Sequence, residues 1–398
     1  MNIPKLRFKD NNGNDYPQWE KKKLGDIVQF LDNKRKPLEQ SERIHGKYPY
    51  YGASGIIDYI NNYIFDEELV LLSEDGANII DRNYPICYIA TGKYWVNNHA
   101  HVLKTKSQYL NKFLCEALER LNYNKYNTGT AQPKLNQDIC KNILLNIPIL
   151  HEQEKIANFF STIDKKIKNL ANTITSLENQ KKGLLQQIFS QKLRFKDKNG
   201  NNYPNWKKKK LGDIATLKNG ISKSNEAFGH GKKFINLQDI FNKSYIFNGN
   251  YSLVDVTEKE LSENNLLKGD VLFVRSSVKR EGVGLPCVIM ENLIDTVYSG
   301  FIIRCRFNIN ENIYLHYKKY CFLEFSFRKA LLKKSSSSAN TNINQDNLSK
   351  LYVKLPCLEE QTKIADFLSA FDRKLDNQKA QLEHWQQIKK GLLQQMFV

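Results

Sequence analysis

The chain has 398 residues, of which 41% are hydrophobic and 11% aromatic, so it is long and apolar enough for two or three folded domains. Its 60 Lys and Arg residues outnumber its 42 Asp and Glu residues, and the formal net charge of +18 favours a polyanion such as nucleic acid as partner. The seven cysteines form no Cys-x-x-Cys pair, which argues against a disulfide framework or a zinc module. The N-terminus lacks the apolar core of a signal peptide, and no apolar run approaches the ~20 residues of a membrane span. The sequence therefore favours a cytoplasmic protein.

The first element in chain order is a short segment that occurs twice. The run Lys-Leu-Arg-Phe-Lys-Asp at 5–10 returns at 192–197, and Tyr-Pro-x-Trp followed by Leu-Gly-Asp-Ile at 16–27 returns at 203–214. Another run, Lys-Gly-Leu-Leu-Gln-Gln, stands at 182–187 and again at 390–395, so that the offset rises from 187 to 208. Such a tandem duplication predicts one scaffold that presents two different surfaces.

Residues 24–148 predict a mixed α/β domain. Apolar runs predict strands at 68–72 and 86–90, and a helical pattern predicts a helix at 109–121. The domain ends in a polar loop at 128–134.

A long heptad helix follows each middle region, after Pro148 and after Pro356. A 3.5-residue period over about five heptads is typical of a coiled-coil seam. Lys181 and Lys389 interrupt the two seams at equivalent positions, where single polar residues often set register. The predicted seam residues are Ile156, Phe160, Ile163, Ile167, Leu170, Ile174 and Leu177 in the first helix, and Ile364, Leu368, Phe371, Leu375, Leu382 and Trp385 in the second.

Chain continuity predicts that the two helices are antiparallel. The second repeat begins at Lys192, directly after the first helix, and a parallel pair would need a connector of roughly 54 Å that the chain does not contain. The alternative is that each helix packs only on its own domain.

Residues 211–356 predict a second mixed α/β domain. Strands are predicted at 270–275 and 299–304, and a helix at 314–332. The polar loop at 336–342 aligns with the loop at 128–134 at the offset of 208, which makes it either a functional surface or a flexible connection.

At this point the chain resembles the specificity subunit of type I DNA restriction–modification enzymes over essentially its whole length. The resemblance is carried by the paired Tyr-Pro-x-Trp segments, by Ile-Pro followed by Glu-Gln and Lys-Ile-Ala at 147–157 and its counterpart at 355–365, and by the Lys-Lys-Gly-Leu-Leu-Gln-Gln tails. Runs at 48–52, 76–78, 96–101 and 269–277 are similar to parts of that family's target-recognition domains.

The resemblance implies an α+β fold in which two mixed α/β target-recognition domains are joined by two long antiparallel helices that form a coiled coil, with a pseudo-twofold internal repeat. Its domains are recognition domain 1 at 1–149, helix 1 at 150–190, recognition domain 2 at 191–356 and helix 2 at 357–398. Each recognition domain would read one half of a bipartite asymmetric site in double-stranded DNA.

The resemblance also implies partners. The coiled coil would set the DNA spacer and dock two methyltransferase subunits, and two restriction subunits, which cleave and translocate DNA, can join such a complex. S-adenosylmethionine, ATP and magnesium are expected on those partners, and no cofactor or metal is expected on this chain.

DNA contacts are expected from Lys, Arg, Asn, Gln and small polar side chains on the loops of the two middle regions. Arg275 and Arg280 flank a predicted strand–loop junction and are the favoured pair. The candidates are Lys34, Arg35, Lys36, Tyr51, Ser54, Asn97, Asn98, His99, Gln132 and Lys134 in the first domain, and Lys223, Lys232, Lys233, Arg275, Ser276, Ser277, Lys279, Arg280 and Asn340 in the second.

Motifs for chemistry are missing from the sequence. His99-x-His101 could supply two metal ligands, but no nearby pattern supplies a third. There is no Gly-x-x-x-x-Gly-Lys-Ser/Thr loop for ATP, and no Pro-Pro pair of the kind found in adenine methyltransferases. The sequence therefore predicts a non-catalytic targeting subunit; a stand-alone DNA-binding regulator is the alternative, and a self-contained nuclease or methylase is disfavoured.

Overall fold

The computed structural model of the chain describes residues 4–129, 131–337 and 340–397, with only the backbone at Ser337. Thr130, Ser338 and Ala339 of the two predicted polar loops lie outside the described residues. The chain forms two compact units: unit 1 comprises residues 1–172 and 379–398, and unit 2 comprises residues 173–378. None of the helices described has the length and apolar character that a membrane crossing requires.

Unit 1 is built on two four-stranded sheets and one strand pair. Its strands are β1 (Glu20–Lys23), β2 (Val28–Phe30), β3 (His45–Gly52), β4 (Gly55–Ile60), β5 (Phe65–Asp66), β6 (Leu69–Ser73), β7 (Cys87–Ala90), β8 (Lys93–Val96), β9 (Ala100–Thr105) and β10 (Leu144–Ile147). β2, β9, β6 and β7 form an antiparallel sheet in that order. β4, β3, β8 and β5 form the other, in which β3 and β8 are parallel, and β1 pairs with β10.

The helices of unit 1 cover the antiparallel sheet. They are α1 (Leu24–Ile27), α2 (Asn78–Asp81), α3 (Asn111–Arg120), α4 (Gln137–Lys141) and the first half of α5 (Leu150–Phe189). Every residue of β6 is buried, which explains its continuous apolar run. The strands predicted at 68–72 and 86–90 and the helix predicted at 109–121 are confirmed as β6, β7 and α3.

Unit 2 has a five-stranded sheet at its centre. Its strands are β11 (Lys207–Lys210), β12 (Ala215–Asn219), β13 (Phe228–Ile235), β14 (Tyr245–Ile246), β15 (Ser252–Val254), β16 (Val271–Val274), β17 (Ser276–Ser277), β18 (Pro286–Ile289), β19 (Thr296–Tyr298), β20 (Ile302–Phe307), β21 (Ser336–Ser337), β22 (Thr341–Asn342) and β23 (Tyr352–Leu355). The central order is β12, β20, β16, β18 and β14, and two three-stranded sheets contain β15-β13-β19 and β17-β22-β21. β11 pairs with β23.

The helices of unit 2 correct one prediction. They are the second half of α5 and α6 (Leu211–Ile214), α7 (Leu237–Ile240), α8 (Glu258–Asn264), α9 (Tyr317–Leu323), α10 (Phe325–Lys334), α11 (Gln345–Ser349) and α12 (Leu358–Met396), which ends in unit 1. The single helix predicted at 314–332 is wrong, because Glu324 has extended backbone angles and its carboxylate caps α10 by accepting from the amides of Ser326 and Phe327. The strand predicted at 299–304 begins only at Ile302, since Ser299 forms an isolated bridge with Ile221 and Gly300 and Phe301 form a turn.

The repeated segments anchor the start of each long helix. Glu152 on α5 is fully buried and accepts a bidentate pair from Arg7, with both N–O distances 2.8 Å, and a hydrogen bond from Trp19 Nε1 at 3.1 Å. In unit 2 the buried Glu360 on α12 binds Arg194 at 3.2 and 2.9 Å and Trp206 Nε1 at 2.9 Å. The Arg, Trp and Glu of the sequence repeat are thus one structural motif that occurs twice.

The two long helices pack together in antiparallel order. In unit 1, Lys389 near the end of α12 lies 2.8 Å from Asp164 in the first half of α5. In unit 2, Lys181 in the second half of α5 pairs with Asp372 in the first half of α12. The antiparallel prediction is confirmed. Of the predicted seam residues, those buried are Ile156, Phe160, Ile163, Leu170, Ile174, Leu177, Ile364, Leu368 and Leu375, and those half-buried are Ile167, Phe371, Leu382 and Trp385.

Candidate nucleic-acid interface

The DNA-contact residues predicted in unit 1 lie on four turns, except Tyr51, which stands near the end of β3 beside the second turn. These turns follow β2, join β3 to β4, join β8 to β9, and precede α4. In that order, with Tyr51 counted with the second turn, they carry Lys34, Arg35 and Lys36; Tyr51 and Ser54; Asn97, Asn98 and His99; and Gln132 and Lys134.

Backbone hydrogen bonds join the first three turns. The amide of Asn97 donates to the carbonyl of Tyr51 over 3.0 Å, and the amide of Lys36 donates to the carbonyl of Val96 over 3.2 Å. The turn between β8 and β9 therefore stands between the other two.

The end of β6 ties the third turn to the fourth. Asp75 forms a β-bridge with Lys134 and lies 2.8 Å from Nδ1 of His99. Glu74 lies 3.5 Å from the Lys134 ammonium. All four turns of unit 1 are thus brought together at one place.

Exposure distinguishes side chains that can reach a ligand from those that hold the turns. Asn97 is buried, and its Oδ1 accepts from the amide of His99 at 2.8 Å. Tyr51 is half-buried with its ring stacked on Tyr88, and burial raises the pKa of its hydroxyl. The exposed candidates are Lys34, Lys36, Ser54, Asn98, His99, Gln132 and Lys134.

Beneath these turns lies a group of four charged side chains, Asp32, Arg35, Glu74 and His101, which we call the ion cluster. Arg35 Nη1 lies 2.5 Å from Glu74 Oε2, and Nη2 lies 3.4 Å from Asp32 Oδ2. His101 Nδ1 lies 2.7 Å from the same Asp32 oxygen. Because the Arg35 guanidinium is committed inside the fold, Arg35 fits a role in holding the turns better than the direct DNA contact predicted for it.

His101 carries a positive charge in this setting. Its Nε2 lies 2.7 Å from the carbonyl of Leu135 and its Nδ1 faces a carboxylate, so both ring nitrogens donate. Burial alone would lower the pKa of His101, but the hydrogen bonds to Asp32 and Cys140 and the Asp32 charge outweigh it and raise the pKa to about 10.

The ion cluster has the donor types of a metal site, since ligand atoms of Asp32, Glu74 and His101 lie within 4.8 Å of one another. Arg35 and the His101 imidazolium, however, supply two positive charges to match the two carboxylates. The cluster is therefore neutral by itself, which favours an ion-pair network over a cation site.

The candidates in unit 2 fall into two groups. Three lysines carry partners on neighbouring elements: Lys223 with Glu260 at 2.9 Å, Lys232 with Asp295 at 3.0 Å, and Lys233 with Asn248 at 2.8 Å. The others meet around the pairing of β17 with β22, where Ser276 and Ser277 are buried opposite Asn342 and Thr341. Lys279, Arg280 and Asn340 are exposed beside this pairing in the sequence.

Backbone contacts show that the two units present corresponding turns. Glu74 donates its amide to the carbonyl of His99 at 2.9 Å, and Arg275 donates its amide to the carbonyl of Phe301 at 2.9 Å. Glu74 also accepts from the amide of Leu135, as Arg275 does from the amide of Ile343, 208 residues later. By this pattern Arg275 occupies the position of Glu74, and Phe301 that of His99.

Arg275 also braces its turn. Its Nη1 donates to the carbonyl of Gly300 at 2.9 Å, so part of the guanidinium predicted to contact DNA is used within the protein. Phe301 itself is 59% exposed, and sequence reasoning missed it because the pattern at 299–304 predicts a strand. The only sequence signal is a glycine directly before an aromatic residue.

A family model described as the Type I restriction modification DNA specificity domain matches residues 16–179 and again residues 203–384. A type I restriction enzyme specificity subunit of Methanocaldococcus jannaschii is 24% identical over 97% of this chain and 94% of its own length. A putative type I specificity subunit of Haemophilus influenzae is 36% identical over 36% of this chain and 37% of its own length.

Two solved structures share the fold. The crystal structure of a type I restriction–modification S subunit from M. genitalium covers 100% of this chain and 99% of its own, with a TM-score of 0.61 at 17% identity. A chain from work on assembly and conformational transition of the type I system covers 95% of this chain and 97% of its own, with a TM-score of 0.55 at 15% identity. At these identities the likeness concerns the fold alone.

Proposed function

Because the chain belongs to the family of type I restriction–modification DNA specificity proteins, we propose that it directs its complex to a two-part DNA sequence and that each unit reads one half. As a specificity subunit it is non-catalytic. Methyl transfer and cleavage would be supplied by partner subunits, which would also carry S-adenosylmethionine, ATP and magnesium.

One observation supports the two-part reading most directly: the units share a backbone arrangement but differ in the side chains that it carries. Glu74 and His99 in unit 1 correspond to Arg275 and Phe301 in unit 2. The exposed members of these pairs are the His99 imidazole in unit 1 and the Phe301 phenyl ring in unit 2. An imidazole and a phenyl ring recognise different features of a base pair, so two corresponding turns with these side chains would select two different half-sites.

The exposed candidates of each unit are proposed to contact DNA in two ways. Lys34, Lys36 and Lys134 in unit 1 and Lys279 and Arg280 in unit 2 would bind phosphates and position the protein on the duplex. The exposed Asn98, Gln132 and Asn340 have amide groups that can form paired hydrogen bonds with a base edge.

The long helices are proposed to set the gap between half-sites and to dock two methyltransferase subunits, with restriction subunits joining that complex. α5 begins in unit 1 and ends in unit 2, while α12 runs from unit 2 back into unit 1. The 40 and 39 residues of these helices are therefore the part of the chain whose length can define a spacing.

The functional test is methylation mapping. The chain would be co-expressed with its methyltransferase subunit in a host lacking other methylases, and methylated bases would be read by single-molecule sequencing. We expect a motif in two parts with one methyl-adenine in each half and a fixed gap. Absence of methylation from a complex shown to assemble, together with tight sequence-specific binding by the chain alone, would support a stand-alone regulator instead.

The spacing proposal has its own test, deletion of one heptad from each helix. Residues 169–175 and 378–384 are suited because they stand midway between the Lys389–Asp164 and Lys181–Asp372 pairs. Seven residues keep the heptad phase and remove about 10 Å, the length of about three base pairs. The gap should shorten while both half-sites stay the same; deleting residues 169–175 alone is the control that breaks the register. A changed half-site with the original gap would contradict the proposal.

A further inference from the structure

The turn that presents Phe301 is rigid, although it stands at the surface. The Phe301 amide donates to Ser299 Oγ at 3.3 Å, and its carbonyl accepts from the amide of Arg275. The amide of Gly300 donates to the carbonyl of Ile221 at 2.7 Å. A Cβ atom added at Gly300 would lie only 2.3 Å from Ser222 Oγ, so the chain approaches closely at this glycine.

Both units brace this turn with an arginine, but the arginines come from different segments. In unit 1 Arg35 Nη1 donates to the carbonyls of Ala100 at 2.8 Å and Asn98 at 3.3 Å. In unit 2 Arg275 Nη1 donates to the carbonyl of Gly300 at 2.9 Å. Two independent solutions to the same bracing problem indicate that the position of the turn matters in both units.

Asn98 and Gly300 carry the braced carbonyls that correspond between the two units, and the residue that follows each of them is exposed. His99 has a side chain that is 48% exposed, and Phe301 is 59% exposed. The backbone of the turn is fixed by hydrogen bonds, yet the phenyl ring that it presents leaves most of its apolar surface in water. A large apolar side chain on a preorganised backbone is typical of a residue that buries its surface against a partner.

We propose that this position is a base-reading position in both units, and that Phe301 reads its half-site by apolar contact with the C5 methyl group of a thymine. The inference rests on the proposed function and specifies one contact within it. Lys279 and Arg280, exposed in the segment that follows Arg275, would hold the phosphates near the same turn.

Thymine is the base that fits because of what a phenyl ring lacks. Phe301 has no hydrogen-bond donor or acceptor with which to read the polar edges of guanine, cytosine or adenine. The methyl group of thymine is the apolar feature of the major groove, and aromatic side chains recognise it by contact. His99 can form hydrogen bonds, so the same position in unit 1 would select a different base pair.

The test compares wild-type and Phe301→Ala chains in the assembled methyltransferase complex. Each thymine of the second half-site is replaced in turn by deoxyuridine, which removes only the methyl group. For the wild type we expect binding to weaken by about four- to tenfold at one thymine. For Phe301→Ala the loss of binding on deoxyuridine replacement should vanish, because the phenyl ring that contacts the thymine methyl group is absent. Discrimination at the first half-site should stay within twofold of wild type.

Ile309→Ala is the matched control. Ile309 lies in the same unit and is 99% exposed, so its loss removes exposed apolar surface away from the turn. This variant should keep the full deoxyuridine penalty. Arg275→Lys keeps the charge but loses the planar guanidinium that donates to the Gly300 carbonyl. Like Phe301→Ala, this variant should lose less binding than the wild type when the thymine is replaced by deoxyuridine.

Two results would overturn the inference. One is that deoxyuridine weakens the binding of Phe301→Ala as much as that of the wild type. The other is that no deoxyuridine replacement in the second half-site weakens binding by the wild type. Failure of the proposed function would look different, since methylation mapping of the wild type would then give no two-part motif at all. A two-part motif combined with an unchanged Phe301→Ala variant refutes the base-reading position and leaves the targeting function standing.

Discussion

Replacing His101 by glutamine should destabilise unit 1 through the ion cluster. The imidazolium is almost fully buried and contacts Asp32 at 2.7 Å and the carbonyl of Leu135 at 2.7 Å. Glutamine keeps a donor but carries no charge, so Asp32 loses a cationic partner in a buried place.

The size of the effect follows from what Asp32 retains. Its carboxylate still accepts from the amide of Val102 at 2.9 Å and from Gln137 at 2.8 Å, and Arg35 remains 3.4 Å away. The loss is then that of one hydrogen bond between charged groups rather than of every partner, about 2–3 kcal/mol of unfolding free energy.

The unfolding free energy lost in His101→Gln should also depend on pH and decrease as the pH rises. The pKa of His101 is about 10 in the folded protein and ~6.5 when unfolded, so the charged ring stabilises the fold fully below pH ~6.5 and loses that contribution as the pH rises toward 10. The groups facing the ring are Asp32, Glu74 and the Cys140 thiol. The difference between wild type and His101→Gln should therefore be largest near pH 6 and shrink above it.

The assay is urea denaturation followed by tryptophan fluorescence, at several pH values. Three of the four tryptophans, Trp19, Trp95 and Trp385, belong to unit 1 and report on it. His151→Gln is the control, because His151 is exposed and makes surface contacts, an ion pair with Glu154 and an edge-on ring contact with Tyr16. A His101→Gln chain that loses no more stability than His151→Gln, or whose loss grows as the pH rises, would refute the reasoning.

Two further predictions concern the long helices. Gly183 and Gly391 are helical and have open space where a Cβ atom would stand. Alanine at either position should therefore raise the unfolding free energy by about 0.5–1 kcal/mol, measured by thermal melts. A lower unfolding free energy in either variant would contradict this prediction. Lys389→Met should lower the unfolding free energy by about 1–2 kcal/mol in urea titrations, because Asp164 and the buried Glu116 lose one of two shared cations while Lys112 still pairs with both. Lys389→Arg should retain most of the stability, and equal losses in the two variants would argue against an ionic role.

The frame of the molecule could be predicted from sequence because its signals are local or repeated. The heptads of α5 and α12 recur every few residues, and Arg7, Trp19 and Glu152 appear a second time at the two offsets of the repeat, 187 and 208. Antiparallel packing followed from the missing connector at Lys192 alone. Recognising the repeats and the heptads does not require knowing which distant segments meet, although the contact between Arg7 and Glu152 itself spans 145 residues.

The arrangement of the candidate site depends on contacts between distant segments, which local sequence patterns do not reveal. The sequence offers His99 and His101 as a pair of metal ligands, and no local pattern shows that Asp32, 69 residues from His101, binds its Nδ1. Arg35 has the sequence context of a phosphate contact, and only the fold brings Glu74, 39 residues on, against it. The helical pattern at 314–332 also gives no sign of the break at Glu324, where the carboxylate caps α10 and so separates it from α9.

The two units show how a duplicated frame can hold unlike side chains. β6 pairs Leu72 with His101, and β16 pairs Phe273 with Ile303, so the place of the charged histidine in unit 1 is taken by a buried isoleucine in unit 2. Unit 2 therefore holds its turn without a counterpart of His101, through the backbone and guanidinium of Arg275. Since the strand register survives the exchange of an ion pair for apolar packing, the register is set by the backbone ladder and the core. Side chains at the tip of the turn can then change without loss of the frame, which is the property that a reader of varied DNA sequences requires.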